Sequence, residues 1–235
     1  MKILIIDRDE LTSQMISSRL AADEGIVVVT EAVKSEAIER LEKESFDVVM
    51  VDPNPMKDAQ AMIMNIRRTS QSYPYIVVLG KSLNLDMVAN MGANNYATKP
   101  LDPQQIKDVI RSAETLQNFS LLLADASEDF PSAGGVIAKS AFNQLYLSAI
   151  DRGWRYAEKA YVLSVSVDNY EEIKTLDGDH HATYGVSKLA HHLVKLRRQS
   201  DVIGQVEENK YSLLLQRTAH DTCLLYTSPS PRDRG

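Results

Sequence analysis

Four polar positions each close a short apolar run: Asp7 after Ile3-Leu4-Ile5-Ile6, Asp52 after Val48-Val49-Met50-Val51, Gly80 after Ile76-Val77-Val78-Leu79, and Lys99 after Tyr96-Ala97-Thr98. In a parallel sheet flanked by helices, ligands bind outside the carboxyl ends of the strands, so these four residues are expected to meet in one crevice. Asp7 and Asp52 are oxygen donors of the type Mg²⁺ takes, and they are candidate metal ligands only under a Mg²⁺-dependent alternative. Arg8, next to Asp7, opposes that chemistry. A guanidinium stays protonated, has no acceptor and repels a cation. Arg8 is instead expected to pair with Asp52 or Asp7 in place of a metal. A second set lies near the far end: Arg198 and Asp201, then Glu207-Glu208-Asn209-Lys210-Tyr211. Arginine clamps phosphate bidentately, and Asp accepts hydrogen bonds. An Arg and an Asp three apart are equally a solvated charge pair at a helix end. The adjacent imidazoles His180-His181 and His191-His192 diverge by about 100° on a helix, which is poor geometry for sharing one ion.

The elements that must position these residues follow from hydrophobic spacing. Residues 3–6, 26–30, 46–51, 75–79 and 95–97 have strand character. Between them, Leu11, Met15, Ile16 and Leu20 repeat at helical intervals, as do Ala37, Ile38 and Leu41, then Met62, Ile63 and Ile66, then Met87, Val88 and Met91. These stripes are expected to pack helices onto a sheet. Ser35 is a candidate helix cap, and Pro103 suits a first helical turn. Strand–helix alternation implies right-handed parallel crossovers. Ile106, Val109, Ala113, Leu116, Ser120 and Leu123 extend a fifth helix past the last strand. Their seam fits either pairing with a second copy or packing of one helix on its own domain. Periodicity breaks at 124–135 among acidic, Pro and Gly residues, which marks a domain junction.

The first half of the chain resembles a bacterial response-regulator receiver domain, of the CheY-like kind. The resemblance implies a doubly wound, five-stranded, flavodoxin-like α/β fold. It also implies Asp52 as phosphoacceptor, Asp7, Arg8, Asn54, Gly80 and Lys99 as pocket residues, and Tyr96 as the switch aromatic. That family supplies an adjacent acidic pair after the first strand, where this chain has Asp7-Arg8. It carries a Ser or Thr at Gly80, with Ser82 displaced by two positions. It offers a backbone carbonyl to the metal at the position of Asn54, and it turns tightly at Lys99-Pro100, with a cis bond as an option.

The second half resembles the GGDEF domain of diguanylate cyclases. The resemblance rests on the strand candidate Tyr161–Val167, a helical stretch at Ser187–Leu196, and Glu207-Glu208-Asn209-Lys210-Tyr211 in the place of the signature hairpin. Gly134-Gly135-Val136-Ile137-Ala138-Lys139 matches a worn entry motif. That family holds two metal ions with carboxylates, where this chain has Ser166, Asn209 and Lys210. Glu207 and Glu208 replace two glycines, and Lys174 and Thr175 replace the residues that read guanine. The implied reading is a degenerate α+β domain, inactive as a cyclase. Arg198 and Asp201 sit at the offset of the family's product-binding motif, which makes cyclic di-GMP the candidate ligand.

The remaining expectations follow from composition. Net charge −6 gives no reason to expect a nucleic-acid surface. No apolar run approaches the ~20 residues of a membrane helix. A single cysteine, Cys223, excludes an internal disulfide framework and fits a cytoplasmic protein. From Cys223 onward the Pro/Ser/Arg-rich end matches a translated sequencing adapter, which leaves the native sequence after Thr222 open. The expected organisation is a receiver at 1–117, a helical linker at 118–130, an incomplete cyclase-like domain at 131–222 and an adapter-derived end at 223–235. The expected role is a response regulator acting by protein contact, without cofactor, with signalling proteins such as a histidine kinase as partners and a homodimer as an option. The alternative is a conventional regulator phosphorylated on Asp52 with Mg²⁺, driving a cyclase-type output.

Overall fold

The computed structural model describes residues 1–21, 23–130 and 133–216. The expectations for Thr222 and for residues 223–235 lie outside the described residues. The chain divides into two compact units, Met1–Asn118 with Ile150–Lys159, and Phe119–Ala149 with Ala160 onward. Residues 118–130, expected as a linker, are thus split between the units, with the fifth helix running on to Ala124.

In the first unit, strands β1 (Lys2–Ile6), β2 (Val27–Glu31), β3 (Val48–Val51), β4 (Tyr75–Gly80) and β5 (Asn95–Thr98) alternate with helices α1 (Glu10–Leu20), α2 (Lys34–Lys43), α3 (Ala59–Thr69), α4 (Leu85–Asn90) and α5 (Pro103–Ala124). The sheet is parallel, in the order β2-β1-β3-β4-β5. Side chains alternate across a strand, so an uninterrupted apolar run buries both faces. Ile3, Ile5, Val48, Met50, Val77 and Leu79 meet Ile16 and Leu20 of α1 and Ile106, Val109 and Ala113 of α5. Leu4, Ile6, Val49, Val51, Ile76 and Val78 meet Ala37 and Leu41 of α2, Ile63 and Ile66 of α3, and Val88 of α4. The strand order reverses between β1 and β3, and the crevice that opens there is the standard ligand position of such sheets.

Two local expectations are corrected. Leu11 is 78% exposed and Met15 faces solvent, because the inward face of α1 is Ser13, Ile16 and Leu20. Ser35 does not cap α2. The helix begins two residues earlier than a Ser35 cap implies, at Lys34, and its cap position, Val33, makes no side-chain bond. Pro103 does open α5, and Lys99-Pro100 is cis.

Arg67 on α3 is 1% exposed. Its guanidinium donates to the carbonyl oxygens of Pro74 and Gly92 and to Asn94 Oδ1, and it lies 4.0 Å over the Tyr73 ring. These bonds satisfy the charge without a carboxylate and tie α3 to the loops bounding β4 and β5.

The second unit carries α6 (Lys139–Tyr156, of which residues to Ala149 belong here), β6 (Ala160–Ser166), α7 (Tyr170–Asp177), α8 (Asp179–Leu196), β7 (Val202–Glu207) and β8 (Lys210–Gln216). Its sheet is antiparallel, in the order β6-β8-β7. One face buries Tyr211, Leu213 and Leu215 beneath Tyr170, Ala182, Val186 and Leu193. On the other face, Phe142 lies so close to Gly204 that a Cβ there would stand 2.6 Å from Phe142 Cβ. Glycine is required at that point for the helix to reach the sheet.

Candidate functional site

The carboxyl ends of β1, β3 and β5 deliver Asp7, Asp52 and Lys99 to one crevice. Backbone pairing sets their register: Asp52 N–H donates to Ile6 O (2.9 Å), Asp7 N–H to Glu31 O (3.2 Å) and Lys99 N–H to Gly80 O (2.8 Å). Lys99 Nζ then stands 2.6 Å from Asp7 Oδ2 and 2.6 Å from Asp52 Oδ2. The remaining carboxylate oxygens are also used. Asp7 Oδ1 accepts from Asp9 N–H, and Asp52 Oδ1 accepts from Asn54 N–H, each at 2.9 Å. Asp7 is 4% exposed, so its charge depends on the ammonium facing it. Burial alone would push the Lys99 ammonium down. The hydrogen bonds it donates to Asp52 and Asp7, then their charges, outweigh burial and hold it above its ordinary range. The crevice encloses about 390 Å³ and is lined also by Arg8, Asp9, Lys34, Asn54 and Pro55.

The response regulator receiver domain family matches residues 3–111, which contain every one of these crevice residues. Residues 3–111 are a receiver domain. Over 150 residues the chain is 28% identical to the regulatory protein VanRc of Enterococcus gallinarum, taking in 62% of this chain and 64% of that protein. The chain therefore spans less than two thirds of the length of that curated relative. Among solved structures it is similar to the chemotaxis response regulator CheY4 of Vibrio cholerae, at 26% identity and a TM-score of 0.43, over 48% of this chain and 97% of that one. A receiver domain protein from Clostridium thermocellum is 25% identical with a TM-score of 0.44, over 50% of this chain and 97% of that one.

The receiver brings Asp7, Asp52, Asn54 and Lys99 together as expected, but Arg8 is corrected. It is exposed at the rim, and among the described residues it forms no ion pair. Both carboxylates are met instead by Lys99, which follows β5. At Gly80 the space a hydroxymethyl group would need is bounded by Leu83, whose Cδ1 would lie 3.3 Å from an added Cβ. Ser82 is exposed, at a φ of 54°. Tyr96 is half-buried against the core cluster that holds Leu83 and Val88.

Two crevice residues escaped sequence reasoning. Asp9 caps α1, accepting from Leu11 N–H (3.1 Å), Thr12 N–H (3.4 Å) and Thr12 Oγ1 (2.6 Å). Its carboxyl is held below its ordinary value, chiefly by the Thr12 hydroxyl. Lys34 turns from the start of α2 to donate to Asn54 O (2.9 Å) and Pro53 O (3.1 Å). The available signal for Lys34 was electrostatic. A cation in a first helical turn opposes the helix dipole and needs negative partners elsewhere.

In the second unit, the expected signature occupies the β7–β8 hairpin, with Glu207 paired to Lys210 in the ladder and Glu208-Asn209 as its loop. The side chains there are paired with one another. Lys210 Nζ lies 2.8 Å from Glu207 Oε2, and Lys174 Nζ lies 3.3 Å from Glu208 Oε1. Tyr170 is pushed up to about 12, first by burial and then by Glu208 beside it. Asn209 Nδ2 donates to Val167 O (3.2 Å), and Ser166 Oγ to Asp168 Oδ1 (3.2 Å). Tyr211 is buried in the core.

Arg198 and Asp201 diverge. Arg198 is exposed, whereas Asp201 is 1% exposed and its Oδ2 accepts from Arg198 N–H (3.2 Å). That carboxylate is spent on the turn into β7 and does not face outward beside the guanidinium. Among the described residues no group of three or more His, Cys, Asp or Glu is arranged to hold a metal. No helix among them is long and apolar enough to cross a membrane.

Proposed function

We propose that this protein is a response regulator of two-component signalling that works by contact with other signalling proteins, a histidine kinase among them. In this reading its crevice is governed by an internal ion triad instead of a divalent cation. The observation that carries the reading is Lys99 Nζ at 2.6 Å from both Asp7 and Asp52. One ammonium thus bonds both carboxylates that would otherwise ligate Mg²⁺ and offsets half of their charge, and Arg8 stands where the family has a further acid. This donor set is a poor fit to a hard dication that seeks uncompensated oxygens.

The second unit is proposed as a degenerate cyclase-like output without catalysis. In support, Glu208 and Lys174 neutralise each other where a nucleotide would need access, and Ser166 and Asn209 offer only neutral oxygens. Cyclic di-GMP recognition gains no support from the buried Asp201.

The test is titration with beryllofluoride, a phosphoryl analogue, with and without Mg²⁺, followed by amide NMR. Shifts at Asp52, Asn54 and Lys99 are expected to show no dependence on the metal. Metal-dependent shifts at those amides would favour the conventional, Asp52-phosphorylated regulator.

A further inference from the structure

The family resemblance places a metal-binding backbone carbonyl at Asn54, and that oxygen is already engaged. Lys34 Nζ donates to Asn54 O at 2.9 Å and to Pro53 O at 3.1 Å. Four oxygens at or beside the crevice therefore fall into two pairs, each with its own ammonium. Lys99 takes the two carboxylates, and Lys34 takes the two carbonyls. Lys34 is half-buried and lines the same crevice as Asp7, Asp52 and Arg8.

We infer that Lys34 is the resident cation of this receiver, a side-chain ammonium holding the carbonyl position that a divalent ion takes elsewhere in the family. The inference rests on the proposed metal-independent reading and identifies a positioning residue that sets it.

Three physical points support it. An ammonium is a compact charge with three donors, so it can bridge two carbonyls as a small cation does. Its place in the first turn of α2 is electrostatically adverse, because the positive end of the helix dipole lies there. The two carbonyls offset that cost by giving the charge negative partners. Finally, a divalent ion entering the site would have to share Asn54 O with the Lys34 ammonium and meet Arg8 at the rim, so like-charge repulsion opposes it. Arg8 is the substitution visible in the sequence, but on this geometry restoring an acid there is insufficient by itself.

Full-length protein is examined with Mn²⁺ as the probe, read by paramagnetic broadening of the Asp7, Asp52 and Asn54 amides. Four proteins are compared with wild type: Arg8→Asp, Lys34→Met, Arg8→Asp with Lys34→Met, and Arg8→Asp with Lys34→Arg. Wild type is expected to show no selective broadening. The Arg8→Asp, Lys34→Met pair should bind Mn²⁺ roughly tenfold or more tightly than Arg8→Asp alone, the size of a direct coupling between neighbouring charges. The variant with Lys34→Arg should behave like Arg8→Asp alone, since it keeps the charge. Retained dispersion of the β1, β3 and β4 amides shows that each variant is folded.

If Arg8→Asp alone binds as tightly as the double variant, Lys34 is not the resident cation, although the metal-independent reading of wild type stands. Selective broadening in wild type would overturn that reading itself.

Discussion

At the residue scale, the triad of Asp7, Asp52 and Lys99 makes a prediction with a definite pH sign. The Lys99 ammonium is held above its ordinary value of 10.5 in the folded protein. A group whose folded pKa is raised contributes stability fully below its unfolded pKa and loses it as pH rises through the folded one. Lys99→Met should therefore cost about 1–3 kcal/mol near neutral pH, the usual penalty for leaving buried polar groups unmatched. The gap between wild type and variant should narrow above pH 10.5. Urea titrations of both proteins across that range decide it, and a gap that stays constant with pH would sink the assignment. The three residues of the triad were legible because each closes an apolar run. The partner of the carboxylates was not. Arg8 is adjacent to Asp7 in the chain, yet a side chain 92 residues away makes the bond. Lys34 went unnoticed because its adverse place in a first helical turn signals a need for negative partners without saying which.

At the element scale, strand and helix positions followed from periodicity, since side-chain direction along a strand or helix repeats over a few residues. The rotation of α1 about its axis did not follow. Leu11 and Met15 carry apolar spacing as good as that of Ile16 and Leu20, and only docking against the sheet selects Ser13, Ile16 and Leu20. Gly204 shows the reverse case, a small residue whose purpose appears only once α6 is in place. Gly204→Ala should destabilise the second unit by about 1–3 kcal/mol, because the added methyl meets the Cβ of Phe142 and not the mobile end of a side chain. Chemical denaturation monitored in the second unit measures this. Wild-type stability in the variant would mean that the helix has room to retreat.

At the scale of the whole molecule, the buried clusters are separate. Two lie on the faces of the parallel sheet and one belongs to the second unit. Independent cores imply that damage to one is felt locally. Amide exchange in Gly204→Ala is expected to accelerate in β7 and β8 while β1, β3 and β4 keep their protection. Equal loss of protection in both units would show that they unfold as one. The sequence by itself determined the parallel five-stranded domain and the delivery of Asp7, Asp52 and Lys99 to one edge. Both depend on local periodicity, whereas the hairpin around Glu208 and Asn209 was marked only by the family resemblance. Only the tertiary structure decided which cation meets which oxygen, that Lys34 and not Arg8 sits on a crevice carbonyl, and that Asp201 faces inward. Such pairings join residues distant in the chain, and their strength depends on ångström-scale distance and burial, neither of which a linear order of residues contains.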